Sequence, residues 1–247
     1  MRRVENDLSC DDYARFVNQS DATLEMAVHH AIVRGLIDEG HAPARLELSA
    51  RLNRPQTEVD AALRSLEASH SVVLHPGTLD VWVAHPFSTS PTATWIQKGE
   101  RGWWAPCLWC GFGVATLVGG DVILHSRIGG ESEPVRIAAT DGHPKTDGLV
   151  VHFPQPPRDA WANVHHFCSR LLPFRSVADI DAWTRRHALP MGQVLSLSQL
   201  ADLARRWYGK HADPDWRKFT MSEAAAVFAA SGLEGEFWQL EAREGAF

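Results

Sequence analysis

Along residues 21–90 the apolar positions fall at helical spacing before giving way to strand-like runs. Leu24, Val28, Ile32 and Leu36 recur every four residues, which predicts a helix with one apolar face, opened by Asp21 as a cap and closed at Gly40. The twenty residues before it are polar and read as a loose tail that contains Cys10. Pro43 opens a second predicted helix carrying Leu46, Ala50 and Leu52, and Pro55 a third carrying Val59, Leu63 and Leu66. SVVLH, the turn PGTLD and VWVAHPF then predict a hairpin. Three helices and a hairpin is the order of a winged helix, and the polar stretch STSPT at residues 88–92 reads as the linker that ends it.

Beyond the linker the pattern changes. ATWIQ, DVILHSRI, EPVRIAA and GLVVHFP each read as a strand bounded by Gly, Pro or Asp. The apolar segment GWWAPCLWCGFGVATLVGG reads as a loop running into a helix. Helical spacing returns in SVADIDAWTRRHAL, with Ser176 as cap and Val177, Ile180 and Trp183 on one face. It continues in SLSQLADLARRWYGKH, with Leu197, Leu200, Leu203 and Trp207 inward, and in MSEAAAVFAASG, ended by Gly232. The expected fold is α+β: a winged-helix-like N-terminal module over residues 1–90, then a β-rich core domain over residues 91–247 closed by C-terminal helices.

Charge bears on the partner that a winged helix suggests. The 247 residues carry a net charge of −6, and residues 1–90 hold eight basic against thirteen acidic side chains. The third helix, QTEVDAALRSLEA, offers one arginine against three acids, where phosphate neutralisation needs the opposite sign. No nucleic-acid partner is expected. No apolar run approaches the roughly 20 residues of a membrane span, and the N-terminal arginines have no apolar segment behind them. A soluble cytoplasmic protein with no membrane partner is expected.

Four cysteines are too few for a disulfide scaffold in a chain of this length. Cys107 and Cys110 lie one turn apart on the same face if the segment after Pro106 is helical, and Cys168 occurs much later, beside His165, His166 and Arg170. Taken alone, the residues leave several readings open. Buried thiols act as small hydrophobes. A Cys3His zinc site would draw on His165 or His166, though the spacing matches no known knuckle. CLWC is a CxxC redox pair without the βαβ surroundings of a thioredoxin-like site. A Cys–His hydrolase would need a positioned base.

The stretch WWAPCLWCGFGVATLVG resembles the active-site segment of the organomercurial (alkylmercury) lyase family, in which aromatic-Ala-x-Cys is followed three residues later by Asp. The similarity runs on through GDVILHSRIGGESEPVRI. It resumes at HHFCSRLLPFRSVADIDAWTRRH, which resembles the segment holding the family's second catalytic cysteine and the helix after it. On this match Cys107 and Cys168 fall at the two catalytic cysteines. Cys110 falls at the catalytic aspartate, and Ile128 at a further, non-catalytic cysteine of the family.

The resemblance implies protonolysis of a carbon–mercury bond to a hydrocarbon and Hg(II). It implies a small organometallic substrate, low-molecular-weight thiols as partners and no resident cofactor. Hg(II) or another soft metal would be the bound product or ligand. Soft mercury prefers thiolates, and two of them on the metal make its carbon basic enough to take a proton from a nearby acid. With a thiol in the aspartate's place, Cys110 is expected either to give that proton in a working lyase or to mark a repurposed scaffold. The latter would be a soft-metal thiolate-binding protein or an enzyme of specialised metabolism with a non-mercury substrate. The expected catalytic and metal-binding set is Cys107, Cys110 and Cys168. Trp103, Trp104 and Trp109 are either core or an apolar pocket for the organic group. His165, His166 and Arg170 either lie at the surface or lower the pKa of Cys168. Asp121 and Glu131 are core-domain carboxylates that could replace the missing acid, but nothing in the sequence places either near the thiols.

Overall fold

The first helix begins earlier than its apolar face suggests. The computed structural model describes residues 10–162 and 164–240, and its first helix, α1, spans Cys10–Asp38. Asp21 therefore lies within a helix and does not cap it, and the tail expected over residues 1–20 is helical from residue 10 on. Residues 1–9 of that tail lie outside the described residues. The buried stripe Val28, Ile32, Val33 and Leu36 matches the predicted apolar face. Helices α2 (Arg45–Leu52) and α3 (Gln56–Ala68) come next, with Leu48, Val59, Leu63 and Leu66 turned inward. Leu46, expected on the inner face of α2, is 69% exposed, because Leu48 takes the core position.

Strands β1 (Val72–Leu74) and β2 (Val81–Ala84) form the expected hairpin. The hairpin is not separate from the core domain. Strand β3 (Phe87–Ser88) pairs with β2 and also with β5 (Arg101–Ala105), so one eight-stranded antiparallel sheet crosses residue 90. Its order is β1-β2-β3-β5-β4-β6-β7-β8, with β4 at Thr94–Lys98, β6 at Asp121–Arg127, β7 at Pro134–Thr140 and β8 at His143–Pro144. The polar stretch 88–92 is built into this sheet: Ser88 belongs to β3, and the Thr92 hydroxyl donates to the Ala105 carbonyl at 2.6 Å. A three-stranded sheet, β10-β9-β11, is made of Pro173–Phe174, Val150–Phe153 and Gln193–Ser196. Helix α6 (Val177–His187) covers it with Ile180 and Trp183, whereas Val177 is 53% exposed. The architecture is α+β, and no described helix is long and apolar enough to cross a membrane.

The GWWA segment, read from sequence as loop, is strand β5. Trp103 and Trp104 therefore alternate across the sheet as period-2 geometry requires. The Trp103 indole N–H donates to the Leu36 carbonyl at 2.6 Å, and Arg101 donates to the Asp38 carbonyl at 2.6 Å, tying α1 to β5. Trp104 packs on Trp95 at 4.6 Å between ring centres.

Helix α4 (Leu108–Val118) is apolar nearly all round and buried from Leu108 to Ala115, as an all-apolar helix must be. It lies between the large sheet and α7 (Leu197–Tyr208). Two glycines permit this. A methyl group on Gly111 would stand 2.9 Å from Thr94 Cγ2, and one on Gly113 would stand 2.4 Å from Tyr208 Cδ2. Helix α7 begins with a capping box between Ser196 and Gln199 and presents Leu197, Leu200, Leu203 and Tyr208 to the core. Helices α5 (Val164–Cys168) and α8 (Met221–Ala230) complete the set.

Candidate active site

Pro106 ends β5, and Cys107 takes the N-cap position of α4, its sulfur accepting from the Cys110 backbone N–H at 3.5 Å. One turn on, Cys110 brings its own sulfur to 3.4 Å from that of Cys107. Helix α5 delivers Cys168 from a distant part of the chain. The three sulfurs all lie within 4.8 Å of one another, and all three residues are buried free thiols. Among the described residues this is the one group of three metal-ligating side chains so close together, and neither His165 nor His166 belongs to it.

Donors converge on Cys110. The Tyr208 hydroxyl, on α7, is 3.3 Å from its sulfur, and His85 Nδ1, between β2 and β3, is 3.7 Å away. Burial pushes the Cys110 thiol up, but hydrogen bonds from Cys107, Cys168 and His85 override it and hold the group well below the ordinary thiol value. Cys107 moves the other way, raised by burial and by donating to Cys110. Cys168 is raised by its hydrogen bonds with Cys107 and Cys110 and by burial. Protons are thus held more tightly on Cys107 and Cys168 than on Cys110. Burial and the Cys110 charge likewise keep Tyr208 protonated.

The flanking residues take no part in the thiol cluster. His165, His166 and Arg170 do not lower Cys168, whose nearest chemical neighbours are the other two thiols. Asp121 is exposed and bound to Thr140 and Lys145, and Glu131 is exposed and bound to Arg186. Neither carboxylate serves the thiols. Ile128 lies in a short turn after β6.

Cys110 and Cys168 open onto a cavity. Its wall is aromatic: Trp109, Phe167, Trp207, Trp216, Phe219 and Phe228 all contribute. Trp109 thus sits beside the thiols. Trp103 and Trp104 do not; they line a separate groove beside Leu36 and Pro43. The segment after residue 210, given no role from sequence, supplies much of the wall. Sequence reasoning also missed His85, Tyr208 and His211; the high histidine count of 13 was the only early signal for the two histidines, and Tyr208 had none.

His29 backs this wall, stacked on Trp216 at 3.8 Å and edge-on to His211 at 6.0 Å. Neither of its ring nitrogens has a hydrogen-bond partner among the described residues. Burial and the nearby His30 and His85 lower its pKa from 6.5 to about 3. Between those values the unfolded chain binds the proton and the folded chain does not, so this stability is present at neutral pH and lost as pH falls. Lowering the pH from 6.5 to 4.5 is expected to cost about 2–3 kcal/mol through this residue. Urea unfolding of wild type and His29→Leu at both pH values checks it, with a flatter acid limb expected in the variant.

The alkylmercury lyase family profile matches residues 87–209. Among solved structures, the crystal structure of the mercury-bound form of MerB2 is similar, with a TM-score of 0.59 at 22% sequence identity over 78% of this chain and 95% of that one. That likeness is one of fold. No curated protein matches the chain in sequence.

Proposed function

Because this chain belongs to the alkylmercury lyase family, through a domain covering about half its length, we propose that it is an organomercurial lyase-like enzyme that uses three thiols and no carboxylate. The observation that carries the reading is the convergence of Cys107, Cys110 and Cys168 at the edge of an aromatic cavity. Mercury is soft and selects thiolate ligands. The cavity accepts an apolar organic group and excludes water from it.

The resemblance in sequence makes Cys110 the expected proton donor. The donors around its sulfur favour the reverse assignment. Cys110 is the thiolate that displaces the substrate's exchangeable ligand and forms the first sulfur–mercury bond. Cys168 shares the cavity wall and holds a proton. As that proton passes to carbon, the electron pair of the carbon–mercury bond becomes the new carbon–hydrogen bond. The Cys168 sulfur closes on the metal, and the hydrocarbon leaves. Low-molecular-weight thiols then take Hg(II) away. Tyr208 and His85 orient the Cys110 sulfur.

The test is incubation with phenylmercury and excess thiol, reading benzene by gas chromatography. Catalytic benzene release is expected. Stoichiometric Hg(II) or phenylmercury binding with no benzene would overturn the lyase reading in favour of a soft-metal thiolate-binding protein.

A further inference from the structure

The sulfurs are reached from two sides. Cys110 and Cys168 line the aromatic cavity, whereas Cys107 and Cys168 line a second cavity. Cys168 is common to both. The second cavity is bordered by Trp82, Thr92, Ala93, Pro106, His165 and Ser169, of which Ala93 and Ser169 are exposed at its rim. Its wall is mostly apolar, with fewer aromatic rings than the other cavity. The Thr92 and Ser169 hydroxyls both donate to backbone carbonyls of neighbouring residues. The His165 ring lies on Trp82 at 4.4 Å, and its Nε2 is buried with no hydrogen-bond partner among the described residues.

We infer that this second cavity is the entry site for the small thiol that removes mercury, set on the opposite side of the sulfurs from the organic group. The inference rests on the lyase reading for its purpose, but the opening to Cys107 exists independently of it. A thiol entering here meets a metal whose other side is filled by the hydrocarbon cavity, so incoming thiol and departing hydrocarbon do not cross. The sulfur of the incoming thiol bonds mercury as its S–H proton passes to the departing Cys168 sulfur, and Cys168 leaves the metal as a thiol. A second thiol exchanges with Cys110 in the same way, its proton passing to the Cys110 sulfur, and the product is a mercury bis-thiolate.

The experiment loads the protein with one equivalent of Hg(II) and follows extraction by cysteine and by glutathione. Ala93→Trp and Ser169→Trp, which narrow the rim, are expected to slow extraction about tenfold, more for glutathione than for cysteine. Leu46→Trp, at an exposed site on α2, sets the baseline. Unchanged extraction in both rim variants overturns the inference. A second arm uses no metal: iodoacetamide alkylation mapped by mass spectrometry is expected to slow at Cys107 relative to Cys110 in the rim variants. An unchanged Cys107 to Cys110 ratio also overturns it, whether or not benzene is ever released. Absence of benzene with slowed extraction would sink the lyase reading and leave the second entrance standing.

Discussion

Cys168→Ala is expected to capture phenylmercury on Cys110 and release no benzene, a loss of about 10³-fold or more in turnover, equivalent to at least about 4 kcal/mol of barrier. The reason is positional. Cys168 alone among the three thiols borders both cavities, lies within 4.8 Å of the other two sulfurs, and holds a proton beside the space where the organic group would sit. In the proposed reaction its removal takes away the acid and the second metal ligand together, while the Cys110 sulfur keeps Tyr208 and His85 as partners. Intact-mass analysis reads the adduct and gas chromatography the benzene. Wild-type turnover in the variant would show that Cys107 supplies the proton, and the assignment of Cys168 would fall.

Gly113→Ala is expected to destabilise the fold by about 1–3 kcal/mol and to lower activity out of proportion to the stability lost. The added methyl would stand 2.4 Å from Tyr208 Cδ2 and 2.9 Å from Pro86 Cβ. Neither neighbour is free to retreat, since Tyr208 is buried on α7 and Pro86 comes directly after the site histidine His85. Relief comes from moving α4 away from α7, which draws the Tyr208 hydroxyl off the Cys110 sulfur. Chemical unfolding measures the first effect, and the thiol titration followed at 240 nm measures the second, as a rise in the pKa of the reactive thiol. A variant as stable as wild type with an unchanged titration would refute this account of the helix contact.

Much of this architecture is legible in the sequence because it is local. The four-residue spacing of Leu24 to Leu36, the Pro-opened helices and the Ser176 cap depend on neighbours a turn away, and they recur in the structure. The two cysteine segments are likewise readable as motifs. The elements that sequence misreads are those fixed by distant partners. GWWA looks like loop until β4 pairs with it on one side and β3 on the other. Without that strand the directions of Trp103 and Trp104 are undefined, and proximity in sequence points both at the thiols instead of at the groove near α1. Leu46 and Leu48 are equivalent in composition; only tertiary packing selects the second for the core. The environment of Cys110 is hidden for the same reason. It is set by His85 and Tyr208, which lie 25 and 98 residues away along the chain.

Half of the aromatic wall has a different origin in the chain from the sulfurs it encloses. All three thiols fall within residues 87–209, whereas Trp216, Phe219 and Phe228 lie after that span, and His29 and His85 lie before it. The three thiols and part of the wall are therefore encoded in separate stretches. Exchanging the segment after residue 209 between relatives is expected to retune which carbon groups the cavity admits while leaving Cys107, Cys110, Cys168 and His85 in place, so a route to new substrates in this scaffold runs through its C-terminal flank.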